Sequence, residues 1–93
     1  MAYGVNESPY KYFHASTAQT NTVVKAFPGI LHSVNINNIG ATGVTITLAD
    51  AAGTIAVIAT PTVVSTLEYD IGFTSLTVSS TGSTAPDFTI AYS

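Results

Sequence analysis

The feature that most constrains this chain is a two-residue alternation of apolar and hydroxyl side chains. Val44, Ile46 and Leu48 alternate with Thr45 and Thr47. Leu76 and Val78 alternate with Ser75, Thr77 and Ser79, and Phe88, Ile90 and Tyr92 with Asp87, Thr89, Ala91 and Ser93. Successive side chains on a strand point to opposite faces, so each set turns one face to a core and the other to water or a neighbour. By the same rule Ile30, His32, Val34 and Ile36 share the predicted inner face, and Leu31, Ser33, Asn35 and Asn37 the outer one. Thr, Val and Ile are stiff at the first side-chain torsion and suit a pleated surface. No stretch has helical spacing, and Glu, Lys, Gln and Arg are scarce.

Turn signals cut the pattern into short pieces. Pro28-Gly29 predicts a type II turn, with Pro presetting φ and Gly taking the positive value. Asn38 to Gly43 reads as a loop. Asp50-Ala51-Ala52-Gly53 reads as a short hairpin connection with Gly in the left-handed position. Pro61 separates two strands or sits on an edge, Gly72 predicts a bulge or bend, and Ser80 to Pro86 reads as a polar loop. The strands expected are 10–15, 21–27, 30–37, 43–49, 54–60, 62–70, 74–79 and 87–92. This describes an all-β chain: a single small β-sandwich, jelly-roll-like, with about eight short antiparallel strands.

Two of these segments are apolar on both faces. Val57 adjoins Ile58, and Val63 adjoins Val64. Either they lie mid-sheet between two layers, or one face meets another subunit.

At 93 residues the chain makes one domain. Residues 1–9 lack alternation and read as an extended arm ahead of a sandwich at 10–93. Tyr3, Tyr10, Tyr12 and Phe13 make the arm and first strand candidates for docking, since aromatic rings bring large contact area. Val57 and Val64 join them as candidate interface residues. There is no Cys, so disulfides cannot supplement a thin core.

Charge is the unusual part of the composition. Only 8% of residues are charged, against roughly 25% in ordinary soluble proteins. There is no Arg, and Lys11 and Lys25 are the only lysines. Such a surface lacks the mobile charges that discourage association, which points to cover by a larger assembly. A net charge of −3 excludes a phosphate-binding surface, so neither nucleic acid nor an anionic membrane is an expected partner. The longest apolar run, Ile55 to Ala59, falls far short of the about 20 residues a spanning helix needs. Residues 1–14 contain no apolar core of a signal peptide, and the sequon Asn6-Glu7-Ser8 is read as chance.

Chemistry has few carriers. Glu68 and Asp70 share one strand face and could serve acid–base work or a cation, but no third ligand lies nearby, and a solvated strand end explains them. His32 reads as a hydrogen-bonded core or interface histidine, and His14 as packing or surface. A nucleophile needs Ser or Thr beside His and an orienting acid, and no Gly-x-Ser-x-Gly elbow is present. Gly40 to Gly43 is too short for a phosphate loop and lacks its Lys. The expectation is a non-enzymatic protein with no catalytic, cofactor or metal residues.

The stretch Val24-Lys25-Ala26-Phe27-Pro28-Gly29-Ile30-Leu31-His32-Ser33-Val34-Asn35-Ile36-Asn37 resembles a pattern of small tailed-phage virion proteins. Gly43-Val-Thr-Ile-Thr-Leu48 followed by Asp50, Gly53 and Ile55-Ala56 is similar too. So are Tyr69-Asp70-Ile71 with Phe73, Leu76-Thr77-Val78, and Asp87-Phe88-Thr89-Ile90. The likeness covers about residues 20–92, and residues 1–18 depart from it. It implies a β-sandwich on a phage particle: a capsid decoration (cement) protein, a head fibre or a small tail component. It further implies the major capsid protein as partner, a homo-oligomer with a trimer favoured, synthesis in the host cytoplasm and residence on the capsid surface of the virion. The competing expectation is a host-recognition module that binds carbohydrate through Tyr69, Tyr92 or Tyr3.

Overall fold

The computed structural model describes residues 10–40, 43–59, 64–82 and 84–93. Eight strands form: β1 (Lys11–Ala15), β2 (Thr22–Lys25), β3 (Gly29–Asn38), β4 (Thr45–Asp50), β5 (Gly53–Ala59), β6 (Ser65–Phe73), β7 (Leu76–Thr81) and β8 (Asp87–Tyr92). Each predicted strand is present, and all pairings are antiparallel.

The strands lie in two four-stranded sheets, β1-β8-β3-β6 and β2-β7-β4-β5. The pairs β1·β8, β2·β7, β3·β6 and β4·β5 are the successive rungs of one long hairpin. Wrapping that hairpin on itself adds the contacts β8·β3 and β7·β4. This is jelly-roll topology. The alternation supplies the reason for two layers: each sheet has one apolar face, and the two faces bury each other.

Leu31, Val34, Ile36, Phe73, Phe88 and Ile90 from the first sheet meet Ile46, Leu48, Ile58, Leu76 and Val78 from the second. Each large side chain buried this way contributes roughly 1.5–3 kcal/mol. Phe88, fully buried, is the largest of them.

Several sequence expectations need correction. Pro28-Gly29 is not a type II turn, because Gly29 has no positive φ and already pairs with Phe73 as the first residue of β3. Gly29 is required for space: a Cβ there would collide with the backbone carbonyl of Ser93. Gly53 does take a positive φ, +146°, at the β4–β5 hairpin. The Asp50 carboxylate accepts from the Ala52 and Gly53 amides at 2.9 and 3.1 Å and closes that turn.

Gly72 pairs in regular register with Ile30. The irregularity lies nearby instead. Against β8, Leu31 faces Tyr92 and Ser33 faces Ala91, so His32 is an extra residue. Against β6, Leu31 faces Ile71 and Ser33 faces Glu68, so Tyr69 and Asp70 stand opposite His32. Asp70 accommodates this with φ at +57°. A bulge inserts one residue and changes the phase of alternation. Leu31 therefore turns into the core, fully buried, while Ile30 faces outward and His32 leaves the inner row.

Of the two alternatives for the doubly apolar segments, the mid-sheet placement does not hold, because both are edges. β5 ends the second sheet and β6 ends the first. Val57, on the outer face of β5, stays exposed at 56%, as do Ile71, opposite Leu31 at the β6 edge, at 37%, and Val64, just before β6, at 61%.

Candidate functional site

The two outer faces of the sandwich differ in chemistry. On the second sheet, antiparallel register sets Val23, Thr77, Ala49 and Thr54 in one row. The next row holds Ser79, Thr47 and Val57, and the third Thr81, Thr45 and Ala59. No ionisable side chain stands in these rows. Val23, at 62% exposure, and Val57 give the face two apolar points at its two edges.

The outer face of the first sheet carries a hydrogen-bonded polar band that crosses all four strands. His14 on β1 and Asp87 on β8 meet at 2.6 Å, Nε2 to Oδ1. A carboxylate only accepts, so the imidazole donates. Asn37 on β3 donates to Asp87 Oδ1 at 2.9 Å and to Thr89 Oγ1 at 3.1 Å. Asn35 donates to Asn37, and Thr66 on β6 donates to Asn35 at 2.5 Å. Hydrogen bonds from Asn37, then from His14, and the His14 charge hold the Asp87 carboxyl below its ordinary value. A shallow groove of about 350 Å³ lies at the end of this band, lined by Asn35, Ile36, Asn37, Val64 and Ser65. Tyr12, 74% exposed, stands on the same face one row from His14.

A second cluster forms where the bulge displaces His32. Its Nδ1 lies 3.4 Å from Asp70 Oδ1 and its Nε2 3.0 Å from Ser93 Oγ. The Tyr10 ring covers the imidazole, with centroids 4.0 Å apart. The order Ser–His–Asp is that of a nucleophilic relay. A relay also needs donors for the oxyanion and a cleft for the acyl group. The adjacent backbone amides of Ile30 and Ser93 are both spent, bonding each other's carbonyls at 3.0 and 2.9 Å. The groove at Asn35 shares no residue with the cluster, and the Asp70 side chain is 78% exposed. The arrangement ties the C-terminal residue to the bulge.

Among the sequence-predicted interface residues, Tyr10, Tyr12, Val57 and Val64 are exposed. Phe13 is half-buried and packs against the core. Tyr3 and the arm at 1–9 lie outside the described residues. Tyr69 and Tyr92 are partly buried and pack against the core. Glu68 lies at the β6 edge opposite Ser33. Among the described residues no group of three or more potential metal ligands comes together.

The polar band was missed from the sequence, although a signal for it existed. Asn is disfavoured in strands, yet Asn35 and Asn37 sit on one face of β3. Comparison with protein-family models, curated proteins and solved structures finds no match to this chain.

Proposed function

We propose that this protein is a structural virion subunit, a decoration protein that binds the outer surface of a tailed-phage capsid. The observation that carries the reading is the outer face of the second sheet, three rows deep and free of ionisable groups. A water-facing surface normally intersperses both signs of charge. A face of Thr, Ser, Ala and Val has low desolvation cost and suits contact with another protein. Each copy bound to the shell and not to its separated subunits stabilises the shell by mass action.

The test has two parts. Quantitative mass spectrometry of purified particles should find this chain near parity with the major capsid protein. A few copies would assign it to a tail or fibre, and absence would remove the virion reading. Thr47→Glu, at the centre of the bare face, should abolish binding to heads that lack the protein. Unchanged binding would refute the assigned face.

A specific observation favours a second reading. Exposed Tyr12 beside the Asn37–Asp87–His14 band has the elements of a saccharide platform: an aromatic ring with amide and carboxylate partners. A glycan array showing binding that Tyr12→Ala removes would support it, and an array without hits would reject it.

A further inference from the structure

Among the described residues, each sheet ends in two strands that are paired on one side only. In the first sheet these are β1 and β6, and in the second β2 and β5. Exposed edges present rows of unpaired amides and carbonyls, and proteins blunt them with charge, Pro, bulges or short length. β1 carries Lys11 and His14, and β6 carries Glu68 and Asp70. β2 is four residues long and ends on Lys25. β5 differs. Its seven residues, Gly53-Thr54-Ile55-Ala56-Val57-Ile58-Ala59, include no ionisable side chain and no Pro. A register shift at Ile55 bends only its start. Ala56 to Ala59 run in regular register with Leu48 to Thr45. Such a stretch is uncharged, β-branched and straight, and it is the kind of edge that accepts another strand.

We infer that the β5 edge pairs antiparallel with β5 of a second copy, joining two sandwiches through one continuous sheet. Charge selects this occupant. Pairing a strand with its own copy about a two-fold axis sets each side chain beside the same or neighbouring side chains. Any ionised residue then meets its own sign, and directly opposed like charges are destabilising. β6 would bring Glu68 and Asp70 together, and β1 would set Lys11 and its copy on one side of the junction. Of the four edges, β5 alone escapes this cost.

The pleat narrows the register. Antiparallel partners project to the same side of a sheet, so the axis must pass through a residue. With Val57 on the axis, its exposed side chain packs on its own copy, and Ala56 faces Ile58 across the junction. The contact buries the exposed Val57 and gives the free backbone groups of β5 partners. It does not depend on the capsid reading. A three-fold ring, the symmetry that the phage resemblance implies, needs two different edges at every contact.

The chain has no Cys, so single-cysteine variants report cleanly. Wild-type protein should sediment as a dimer at high micromolar concentration. Under mild oxidation Val57→Cys, which stands opposite its own copy, should give a disulfide-linked dimer. Tyr12→Cys on β1 and Val23→Cys on β2 should not. Val57→Lys should weaken the dimer by about tenfold or more, through lost packing and facing like charges. Its circular dichroism should stay that of the folded sandwich, because Val57 lies outside the core. A monomer at every concentration would overturn the inference. So would a dimer or trimer that crosslinks through Tyr12 or Val23 and ignores Val57→Lys.

Discussion

Gly29→Ala should destabilise the domain through one close approach at its chain end. Ile30 N–H donates to the Ser93 carbonyl at 3.0 Å, and Ser93 N–H donates to the Ile30 carbonyl at 2.9 Å. These two bonds fasten the last residue of the chain to the start of β3. A Cβ on residue 29 would sit well inside contact distance of that same Ser93 carbonyl, a backbone atom. It would also lie 3.0 Å from Lys25 Nζ and from Phe73 Cζ. The lysine head can swing away, and the phenyl tip needs only a small shift. The carbonyl can move only if Ser93 releases its bonds to Ile30. Two backbone hydrogen bonds at about 1 kcal/mol each give a cost of about 2 kcal/mol. At about 4–8 °C per kcal/mol for a domain of this size, Tm should fall by about 8–16 °C. Urea and thermal melts measure it directly. The diagnostic control deletes Ser93. Without the obstructing carbonyl, Gly29→Ala should be nearly neutral, because contacts that share a partner are not additive. A loss under about 0.5 kcal/mol in the full chain would refute the steric argument. An equal loss in both backgrounds would place the need for glycine elsewhere.

Three further outcomes follow from the same structure. Phe88→Ala should cost about 3–5 kcal/mol, a large share of the about 5–14 kcal/mol expected for this length, with urea denaturation as the assay. Asp70 holds φ at +57°, so Asp70→Gly should match or exceed wild-type stability in thermal melts. Asp70→Ala should lose about 1 kcal/mol, since a Cβ without a local polar partner is disfavoured there. The Thr74 amide, then the Ala52 and Gly53 amides, hold the Asp50 carboxyl below its ordinary value, and Asp87 is lowered as described above. A lowered folded-state pKa favours folding above the unfolded value, near pH 4, and that support fades as pH falls through the folded values. Melts from pH 7 to pH 2 should therefore show Tm falling below about pH 4, with a shallower fall in Asp50→Asn.

Alternation made the strands legible because burial on one face imposes its own period on the residues. It carried all eight strands, the two-layer architecture and the β4–β5 hairpin. It could not carry phase across the bulge. His32 kept the inner-face parity of Val34 and Ile36 in sequence, yet one inserted residue on β3 put Leu31 into the core in its place. Nothing within β3 announces that insertion, because the cause lies across the sheet, in Asp70 and the register of β6 and β8. The polar groups beside His32 were hidden for a related reason. Asp70 and Ser93 are 38 and 61 residues away in the chain, and topology alone brings them together. Gly29 shows the limit at the level of one atom. A Pro-Gly pair signals a turn when only neighbours matter, but here a carbonyl from the far end of the chain sets the requirement.

The doubly apolar segments show why strand identity is easier to read than strand position. A strand with apolar residues on both faces usually lies inside a covered sheet. β5 carries that pattern and ends its sheet, as does β6, although the adjacent valines of that segment, Val63 and Val64, precede the strand in sequence. Hairpin wrapping explains the placement. In a long hairpin folded on itself, the innermost rung pairs β4 with β5, and the next rung pairs β3 with β6. The later contacts β7·β4 and β8·β3 claim the free sides of β4 and β3, which leaves β5 and β6 outermost. Among the described residues nothing in the sandwich itself covers the second apolar face of β5. On β6 the exposed apolar points are interrupted by Glu68 and Asp70, which guard the edge. On β5 nothing interrupts them. The difference between two edges of similar hydrophobicity is therefore one of charge, and it separates an edge kept apart from its own kind from one left open to it.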